Sequence, residues 1–264
     1  MSERKHQFLD VIRSGASWFL VALVTFLFFF LMVIYFFLFL IFDPSRKRIH
    51  PIISSWAKTI LLVCPLMKVR LEGEERLQKD KAYVFVANHQ SLADIIAVLH
   101  LKHSFKFIAK RDLFWIPVFG WSLSIAGYIP LIRGDQKSGK EAIDRARRCL
   151  KKGVSVLFFP EGTRSLNGEI QAFKVGAFKL ASELGVPVVP LVIDGTRNLI
   201  PKGSRLMGHS AQVIVHVEPP HQPKGEDASS VEAFTEEVRK SMINCLGQIR
   251  SQTHQVSKLG FVKA

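Results

Sequence analysis

The chain carries at residues 83–94 the sequence YVFVANHQSLAD, in which a strand pattern passes into the start of a helix. Residues 83–87 are a short apolar run of mainly β-branched and aromatic side chains, which predicts a buried strand. Ser91 has the chemistry of a helix N-cap, and the pattern after it predicts a helix over residues 92–101. A buried strand that leads directly into a helix is typical of an α/β domain.

The same alternation of buried strands and amphipathic helices recurs further along the chain. The patterns predict strands at residues 105–109, 154–159, 188–193 and 212–217, and helices at residues 173–184 and 230–246. We therefore predict an α/β domain over residues 71–250, with a mixed or largely parallel central sheet flanked by helices, and a tail over residues 251–264. In such sheets the ligand site lies at the strand ends.

A long apolar segment precedes this predicted domain. Residues 18–42 contain neither a charged residue nor a proline. As a helix the segment would be about 38 Å long at roughly 1.5 Å per residue, enough to cross a hydrocarbon core of about 30 Å. It runs into the sequence DPSRKR at residues 43–48 without a small-residue cleavage site, so we expect it to be retained as an anchor.

Two arrangements of this anchor agree with the charges around it. Basic residues flank the apolar segment on both sides, so the positive-inside rule gives no clear orientation. Either the helix spans the membrane, or it forms a helical pair with the apolar stretch at residues 52–67 and embeds from one side. We favour the one-sided pair and predict an N-terminal membrane anchor over residues 1–70. The alternative for residues 52–67 is a core helix of the following domain.

The composition limits the class of protein and its partners. Of 264 residues, 48% are hydrophobic and 22% are charged, which excludes a disordered polyelectrolyte. The 36 Lys and Arg residues exceed the 22 Asp and Glu residues and give a net charge of +14, which indicates an anionic partner. The 3 cysteines form no C-x-x-C pair, so the sequence indicates neither a disulfide framework nor a structural zinc site.

His89 and Asp94 lie between the first predicted strand and its helix. On one continuous helix they would point about 140° apart around the axis. With the strand ending at Asn88 and the helix starting at Ser91, Asp94 in the first turn can reach back to His89 in the loop. This arrangement suits a general base whose imidazole is oriented by a carboxylate. The alternative is a capping box, in which Asp94 binds backbone N–H groups and His89 is an ordinary loop residue.

A polar turn follows the strand predicted at residues 154–159. The turn reads PEGTRS at residues 160–165, and Arg164 has the geometry to hold a phosphate bidentately, assisted by backbone N–H groups around Gly162. The alternative is a tight turn with a solvated arginine. The sequence lacks the phosphate-binding motifs G-x-x-x-x-G-K-[ST] and G-x-G-x-x-G and the serine-nucleophile motif G-x-S-x-G.

Five blocks of the sequence occur in the order and approximate spacing of the glycerolipid acyltransferases. The blocks are NHQSLAD at residues 88–94, FIAKRDLFWIPVFG at residues 107–120, GYIPLIR at residues 127–133, FPEGTRS at residues 159–165 and VPVVP at residues 186–190. Together they cover about residues 70–215. On these blocks the chain resembles the 1-acyl-sn-glycerol-3-phosphate acyltransferases, also called lysophosphatidic acid acyltransferases.

The resemblance implies roles for eight residues. His89 would be the general base that takes the proton from the free hydroxyl of the acceptor, and Asp94 would orient it and stabilise its charge. The positions that bind the acceptor phosphate or shape its pocket correspond here to Lys110, Arg133, Glu161, Gly162, Thr163 and Arg164. The hydroxyl would attack the thioester carbonyl directly, without an acyl-enzyme, a metal or a cofactor.

The implied reaction transfers an acyl chain from acyl-CoA or acyl-carrier protein to the sn-2 hydroxyl of 1-acyl-sn-glycerol 3-phosphate, which gives phosphatidic acid. The implied partners are these substrates and membrane lipids, with no nucleic acid, at the cytoplasmic face of an inner membrane or endomembrane. Glycerol 3-phosphate or another lysophospholipid is an alternative acceptor. Two other classes stay open, namely a metal-dependent hydrolase with His89, Asp94 and Glu161 as ligands and a non-catalytic membrane-tethered lipid-binding protein.

A cluster of basic residues follows the GYIPLIR block and lies outside the family blocks. It comprises Lys137, Lys140, Arg145, Arg147, Arg148, Lys151 and Lys152. Such a run suits contact with anionic headgroups, or solubility, better than catalysis.

Overall fold

The computed structural model describes residues 2–39, 41–65, 67–197, 199–200, 206–208 and 211–260. In these residues the strands are β1 (Met67–Glu72), β2 (Val84–Ala87), β3 (Phe105–Lys110), β4 (Ile129–Leu131), β5 (Ser155–Phe158), β6 (Val188–Asp194) and β7 (Ala211–Val217). The helices are α1 (Ser2–Phe39), α2 (His50–Val63), α3 (Ala93–Val98), α4 (Phe119–Ile125), α5 (Gln136–Lys151), α6 (Gly176–Leu184) and α7 (Ala228–Gly260).

The strands form one mixed sheet in the order β1-β7-β6-β2-β5-β3-β4. Neighbouring strands are parallel except for β6 and β7, which are antiparallel. The carboxyl ends of β2, β3, β4, β5 and β6 therefore lie at the same edge of the sheet. The predicted α/β fold with a mixed or largely parallel sheet is confirmed.

The central strand β2 contributes to two hydrophobic cores, one on each face of the sheet. Phe85 and Ala87 share a buried cluster with Met32 of α1 and Ile53 of α2. Val84 and Val86 face the opposite cluster, which contains residues of α5, α6 and α7. Since successive side chains of a strand point to opposite faces, a strand covered on both faces needs the unbroken apolar run seen in this sequence.

The two N-terminal helices are part of this layered arrangement. α2 buries Ile53 and Ala57 in the core cluster, and Met32 of α1 is only 4% exposed there. α2 (His50–Val63) thus contacts both α1, through the hydrogen bond from Trp56 to Thr25, and the core of the sheet. The division of the chain near residue 70 stays a prediction, and β1 already pairs with β7 from Met67 onward.

Several elements differ from their predicted extent or were not predicted. The strands β1 and β4 and the helices α4 and α5 were missed. α5 is mostly polar and buries only Ala142, Ala146 and Leu150, so its apolar stripe is narrow. The helix predicted from residue 173 begins at Gly176, because the N–H of Lys174 donates to the carbonyl of Pro160 and keeps the preceding segment in a loop. α7 continues into the predicted tail, and residues 261–264 lie outside the described residues.

Candidate active site

Five segments with polar side chains meet at the carboxyl edge of the sheet. In sheet order, Thr196 follows β6, His89 follows β2, the turn at residues 161–164 follows β5, Lys110 ends β3 and Arg133 follows β4. Adjacent strands are about 4.8 Å apart, so these positions extend over roughly 20 Å of the edge. The topology therefore collects residues that are far apart in sequence into one line.

His89 and Asp94 are in direct contact in the interior of this edge. His89 Nδ1 lies 2.7 Å from Asp94 Oδ2, and the two residues are 7% and 0% exposed. An ionised carboxylate only accepts hydrogen bonds, so Nδ1 carries the proton and the neutral ring keeps its lone pair on Nε2. Nε2 is thus the ring nitrogen that can accept a proton from a bound molecule.

Asp94 accepts three further hydrogen bonds. The N–H groups of Gln90 and Ser91 donate to Oδ2 at 2.7 and 2.9 Å, and the Thr196 hydroxyl donates to Oδ1. One carboxylate therefore binds the backbone before α3, as in a capping box, and also contacts the imidazole of His89. Thr196 is 0% exposed and was not among the predicted site residues.

The start of α3 differs in detail from the prediction. The helix begins at Ala93 with Leu92 at its N-cap, so the placement of Ser91 at the N-cap was wrong by one residue. The Ser91 hydroxyl accepts the N–H of Ala93 at 3.3 Å but donates its own proton to the carbonyl of Ile200 at 3.1 Å. Ser91 therefore connects the His89 loop to the segment after β6.

The loop that carries His89 is fixed to both neighbouring strands. The side-chain amide of Asn88 donates to the carbonyl of Ile193 at 2.8 Å, and its oxygen accepts the Ile193 N–H at 2.7 Å. On the other side, Glu161 Oε1 accepts the His89 N–H at 2.8 Å, and the Ser165 N–H donates to the His89 carbonyl at 2.8 Å. These bonds hold the backbone of His89 in place before any substrate binds.

The imidazole of His89 also packs against Phe159. The two ring centroids lie 4.3 Å apart with an angle of 31° between the planes. This contact covers one face of the imidazole and restricts its rotation. The signal for Phe159 was present in the sequence, since it is the last residue of the strand predicted before the PEGTRS turn.

Arg164 and Arg133 form the positively charged part of the site. Nη1 of Arg164 is buried and has no hydrogen-bond partner among the described residues. Burial lowers the pKa of Arg164 and the nearby charge of Arg133 lowers it further, whereas Asp94 acts in the opposite direction. A guanidinium that loses water without gaining a partner, next to a second guanidinium, is suited to bind an oxyanion.

Glu161 and Gly162 form the structure of the turn. Glu161 Oε1 accepts the N–H of His89 and Oε2 that of Gln171 at 3.2 Å, and burial raises the pKa of this carboxyl. Gly162 has a φ of 72°, and a Cβ there would lie 3.1 Å from Nζ of Lys174. Glycine is therefore favoured at this position both by the backbone conformation and by the lysine that crosses the turn. Lys174 was not predicted as a site residue.

The two remaining predicted binding residues are exposed. Thr163 lies at the surface of the turn. Lys110 ends β3 and forms an ion pair with Asp112. Its backbone pairs with Leu131 of β4, two residues before Arg133, so Lys110 and Arg133 belong to adjacent strands of the same edge.

The residues at this edge do not form a metal-ligand set. Over the described residues, no group of three or more His, Cys, Asp or Glu side chains is placed to hold an ion. Glu161, the third ligand of the hydrolase alternative, has both oxygens occupied by backbone N–H groups.

Comparison with known proteins identifies the class to which this fold and site belong. A family model described as Acyltransferase matches residues 68–194, a range that includes the strands β2 to β6 and both His89 and Asp94. The crystal structure of the 1-acyl-sn-glycerophosphate acyltransferase PlsC from Thermotoga maritima superposes with a TM-score of 0.76 and 30% sequence identity, covering 91% of this chain and 97% of that chain.

Proteins similar in sequence to this chain have a more specific name than the family model. The chloroplastic 1-acyl-sn-glycerol-3-phosphate acyltransferase of Arabidopsis thaliana is 42% identical over 200 residues, which is 74% of this chain and 55% of the plant protein. The alpha form from Mus musculus is 33% identical over 188 residues, which is 69% of this chain and 65% of the mouse protein. The chain belongs to the 1-acyl-sn-glycerol-3-phosphate acyltransferase family. It spans about half the length of the plant relatives.

Proposed function

We propose that this chain transfers an acyl group from a thioester donor to the sn-2 hydroxyl of 1-acyl-sn-glycerol 3-phosphate, which gives phosphatidic acid. The observation that carries the proposal is the contact between His89 and Asp94, because it leaves Nε2 as the basic nitrogen of an oriented ring. Arg164, on the neighbouring strand end, supplies a site for the phosphate of the acceptor. The names of the family relatives agree with this reaction.

The proposed reaction uses His89 as both base and acid. Nε2 removes the proton from the acceptor hydroxyl while the hydroxyl oxygen attacks the carbonyl carbon of the thioester. The tetrahedral intermediate then collapses with cleavage of the C–S bond, and the leaving sulfur takes the proton back from the imidazolium. Asp94 stabilises the positive charge that the ring carries between these two transfers. Protons and electron pairs balance with acceptor and donor alone, and acyl-CoA and acyl-carrier protein both fit as donors.

The acceptor phosphate is proposed to bind between Arg164 and Arg133. Arg164 offers an unpartnered buried donor, and Arg133 adds a second positive charge at the same edge. Lys110 would join them by leaving Asp112 when the phosphate binds. The turn would be shaped by Glu161, Gly162 and Thr163, none of which would contribute positive charge to phosphate binding.

The proposal is tested by a mass-spectrometric assay of the purified protein. Lysophosphatidic acid, glycerol 3-phosphate and lysophosphatidylcholine are each offered with acyl-CoA and with acyl-carrier protein. We expect phosphatidic acid from lysophosphatidic acid as the main product. If no phosphatidic acid forms with either donor, the proposed function is wrong, and acylation of another acceptor would identify the true substrate.

We also propose that α1 attaches the domain to one leaflet of the membrane and does not cross it. Within the described residues, one helical segment, Leu9–Phe39, is long and apolar enough to span a membrane by length and composition. However, α1 runs along the domain, since Trp56 of α2 donates to Thr25 at 3.1 Å and the rings of Phe29 and Trp121 are 5.9 Å apart. The opposite side of α1 exposes Phe19, Leu23, Leu27, Phe30, Ile34 and Phe37. A helix with one side on the domain and one apolar side exposed suits insertion parallel to the surface.

Introducing charge on this exposed side is expected to separate membrane binding from catalysis. The double substitution Leu27→Glu with Ile34→Glu should weaken binding to phospholipid vesicles by about 100-fold, because two carboxylates would have to enter an apolar environment. Activity on detergent-dispersed substrate should stay within about threefold of the wild type, since both side chains are more than half exposed. Vesicle flotation and the detergent assay measure the two effects. Ile243→Glu on α7 is the control, and an equal loss in both assays would show that α1 has only a structural role.

Thr196 is expected to position Asp94 and, through it, His89. Thr196→Val keeps the shape but leaves Asp94 Oδ1 without a donor, so kcat should fall by about tenfold with KM unchanged. Thr196→Ser keeps the hydroxyl and should restore most of the rate. The measurement is kcat and KM for both variants together with their melting temperatures. A lower melting temperature without any change in kcat would contradict the positioning role.

A further inference from the structure

A cavity of about 460 Å³ lies at the amino ends of β3, β4 and β5, on the edge of the sheet opposite to His89. Its wall includes the α1–α2 loop at residues 44–46, the early β3 residue Lys106 and the segment at residues 127–130 that leads into β4. The end of α5 completes it with Arg145, Arg148, Cys149 and Lys152. Lys106 and Lys110 lie near opposite ends of β3, roughly 13 Å apart at about 3.3 Å per residue. The cavity is therefore separate from the site around His89.

The wall of the cavity contains five basic residues and no acidic residue, namely Arg46, Lys106, Arg145, Arg148 and Lys152. The last three are spaced three and four residues apart, so they share one side of α5. The side chains of these three residues form no hydrogen bond or ion pair with a residue that the structure describes. Arg147, on another side of the same helix, is by contrast paired with both Asp144 and Glu183.

Lys106 is the least expected member of the cavity wall. It is 2% exposed, and its ammonium donates to the carbonyls of Arg46 at 2.7 Å and Ala126 at 2.6 Å. These two neutral acceptors use two of its three N–H donors and do not neutralise its charge, and burial lowers the pKa of Lys106 to about 8. Cations at the end of α5 alone would be explained by the helix dipole. Lys106 and Arg46 come from other elements, so the convergence of charge needs another explanation.

The position of the cavity indicates that an anion bound there comes from the membrane surface. Arg46 belongs to the loop between α1 and α2, and its guanidinium donates to the carbonyl of Ser124 at 2.6 Å. Ile41 and Phe42 in the same loop are 85% and 76% exposed. If these two side chains enter the hydrocarbon of a membrane, Arg46 of the same loop and the cavity that it lines face the level of the headgroups.

We propose that this cavity binds the phosphate of an anionic phospholipid at the membrane surface, as a lipid site separate from the site of acyl transfer. The phosphate oxygens would contact Arg145, Arg148 and Lys152 from one side and Arg46 and Lys106 from the other. The site rests on the membrane attachment proposed for α1 but not on the proposed reaction. Its lipid would be bound and retained, without chemical change.

Binding of the full-length chain to vesicles tests this site. The vesicles contain phosphatidylcholine alone or phosphatidylcholine with one fifth phosphatidylglycerol. The cavity variant carries Arg145→Gln, Arg148→Gln and Lys152→Gln. The matched control removes the same charge from the same helix outside the cavity, with Lys137→Gln, Lys140→Gln and Lys151→Gln.

We expect the cavity variant to lose at least about tenfold more of its preference for anionic vesicles than the control variant. Binding to phosphatidylcholine alone should be the same for both, since it depends on the apolar face of α1. Equal losses in the two variants would overturn the proposal and show that charge acts without a defined site. Acyl transfer in detergent should be unchanged in the cavity variant, so failure of the lipid site and failure of the proposed reaction are distinguishable.

Cys149 gives a second measurement inside the cavity. It is half-buried in the cavity wall, whereas Cys64 and Cys245 are buried elsewhere. Anionic vesicles should slow maleimide labelling of Cys149 at least about threefold more than neutral vesicles, because an occupied cavity shields the thiol and disfavours its thiolate. If inorganic phosphate or free CoA slows the labelling of Cys149 and anionic vesicles do not, the cavity binds a soluble phosphate and the lipid assignment is wrong.

Discussion

Replacing His89 by alanine is expected to lower kcat for acyl transfer by about 1,000-fold, because general base catalysis by a positioned side chain typically contributes 10²–10⁴. Without Nε2 the pair with Asp94 no longer presents a base to the acceptor hydroxyl. The fold should persist, since the backbone of residue 89 keeps its hydrogen bonds to the Glu161 side chain and to the Ser165 N–H. The Asn88 side chain also continues to hold the loop. Steady-state rates on lysophosphatidic acid and the melting temperature of the variant provide the measurement.

His221→Ala is the matched control for this variant. His221 lies on the other side of the molecule, where it approaches Glu237 of α7, and its removal should leave kcat within about twofold of the wild type. If His89→Ala retains full activity in purified protein, the general base hypothesis is wrong. If that activity is then traced to a contaminating enzyme of the expression host, the non-catalytic lipid-binding alternative gains support; if it is not, another residue is the base.

Replacing Arg164 by alanine is expected to lower kcat/KM for lysophosphatidic acid by about 100-fold, because a charge-assisted bidentate contact to phosphate would be lost. The same variant should acylate monoacylglycerol, which has no phosphate, at a rate within about threefold of the wild type. Arg164→Lys keeps the charge but not the planar fork and should recover only part of the loss. The ratio of the two substrates, measured for each variant, isolates the contribution of the phosphate.

The stability of the Arg164 variant separates binding from folding. Nη1 of Arg164 is buried without a partner among the described residues, so its removal takes away an unsatisfied donor and should not lower the melting temperature. Arg239→Ala, which breaks the ion pair with Glu236 on α7, serves as the control for loss of an arginine. Equal losses on phosphate-bearing and phosphate-free acceptors would assign Arg164 a structural role and contradict phosphate binding.

Much of the fold was predictable because the central strands have a local signature. β2, β5 and β6 are buried on both faces, so each needs a short unbroken apolar run, and each was predicted within one or two residues. β4 was missed because it has only three residues and contains a proline. α5 was missed although its buried residues Ala142, Ala146 and Leu150 recur every four positions, because the basic residues around them were interpreted as a charge cluster and not as the polar face of a helix. The order of the strands could not be predicted, since it depends on contacts between distant segments, such as Met67 of β1 with Ala211 of β7 and Val84 of β2 with Val188 of β6.

The contacts of the candidate site likewise include some that the sequence predicts and others that depend on the tertiary structure. The contact of His89 with Asp94 could be inferred from the six residues 89–94, because a strand that turns into a helix brings the first and last of these positions together. The hydroxyl of Thr196 could not be assigned to Asp94, which lies 102 residues earlier, until the parallel pairing of β6 with β2 placed both strand ends side by side. The pairing of Asn88 with Ile193 depends on the same register.

The sequence by itself determined the α/β class, the apolar helix and the residues of the His89 and Arg164 motifs, because periodicity and turn chemistry are properties of neighbouring residues. Only the tertiary structure decided which polar groups hold Asp94, that α1 lies along the domain, and that Arg46 and Lys106 meet the end of α5 in one cavity. These features arise where segments distant in sequence pack together. Such packing is determined by the burial of both faces of the sheet and cannot be predicted from the pattern of neighbouring residues.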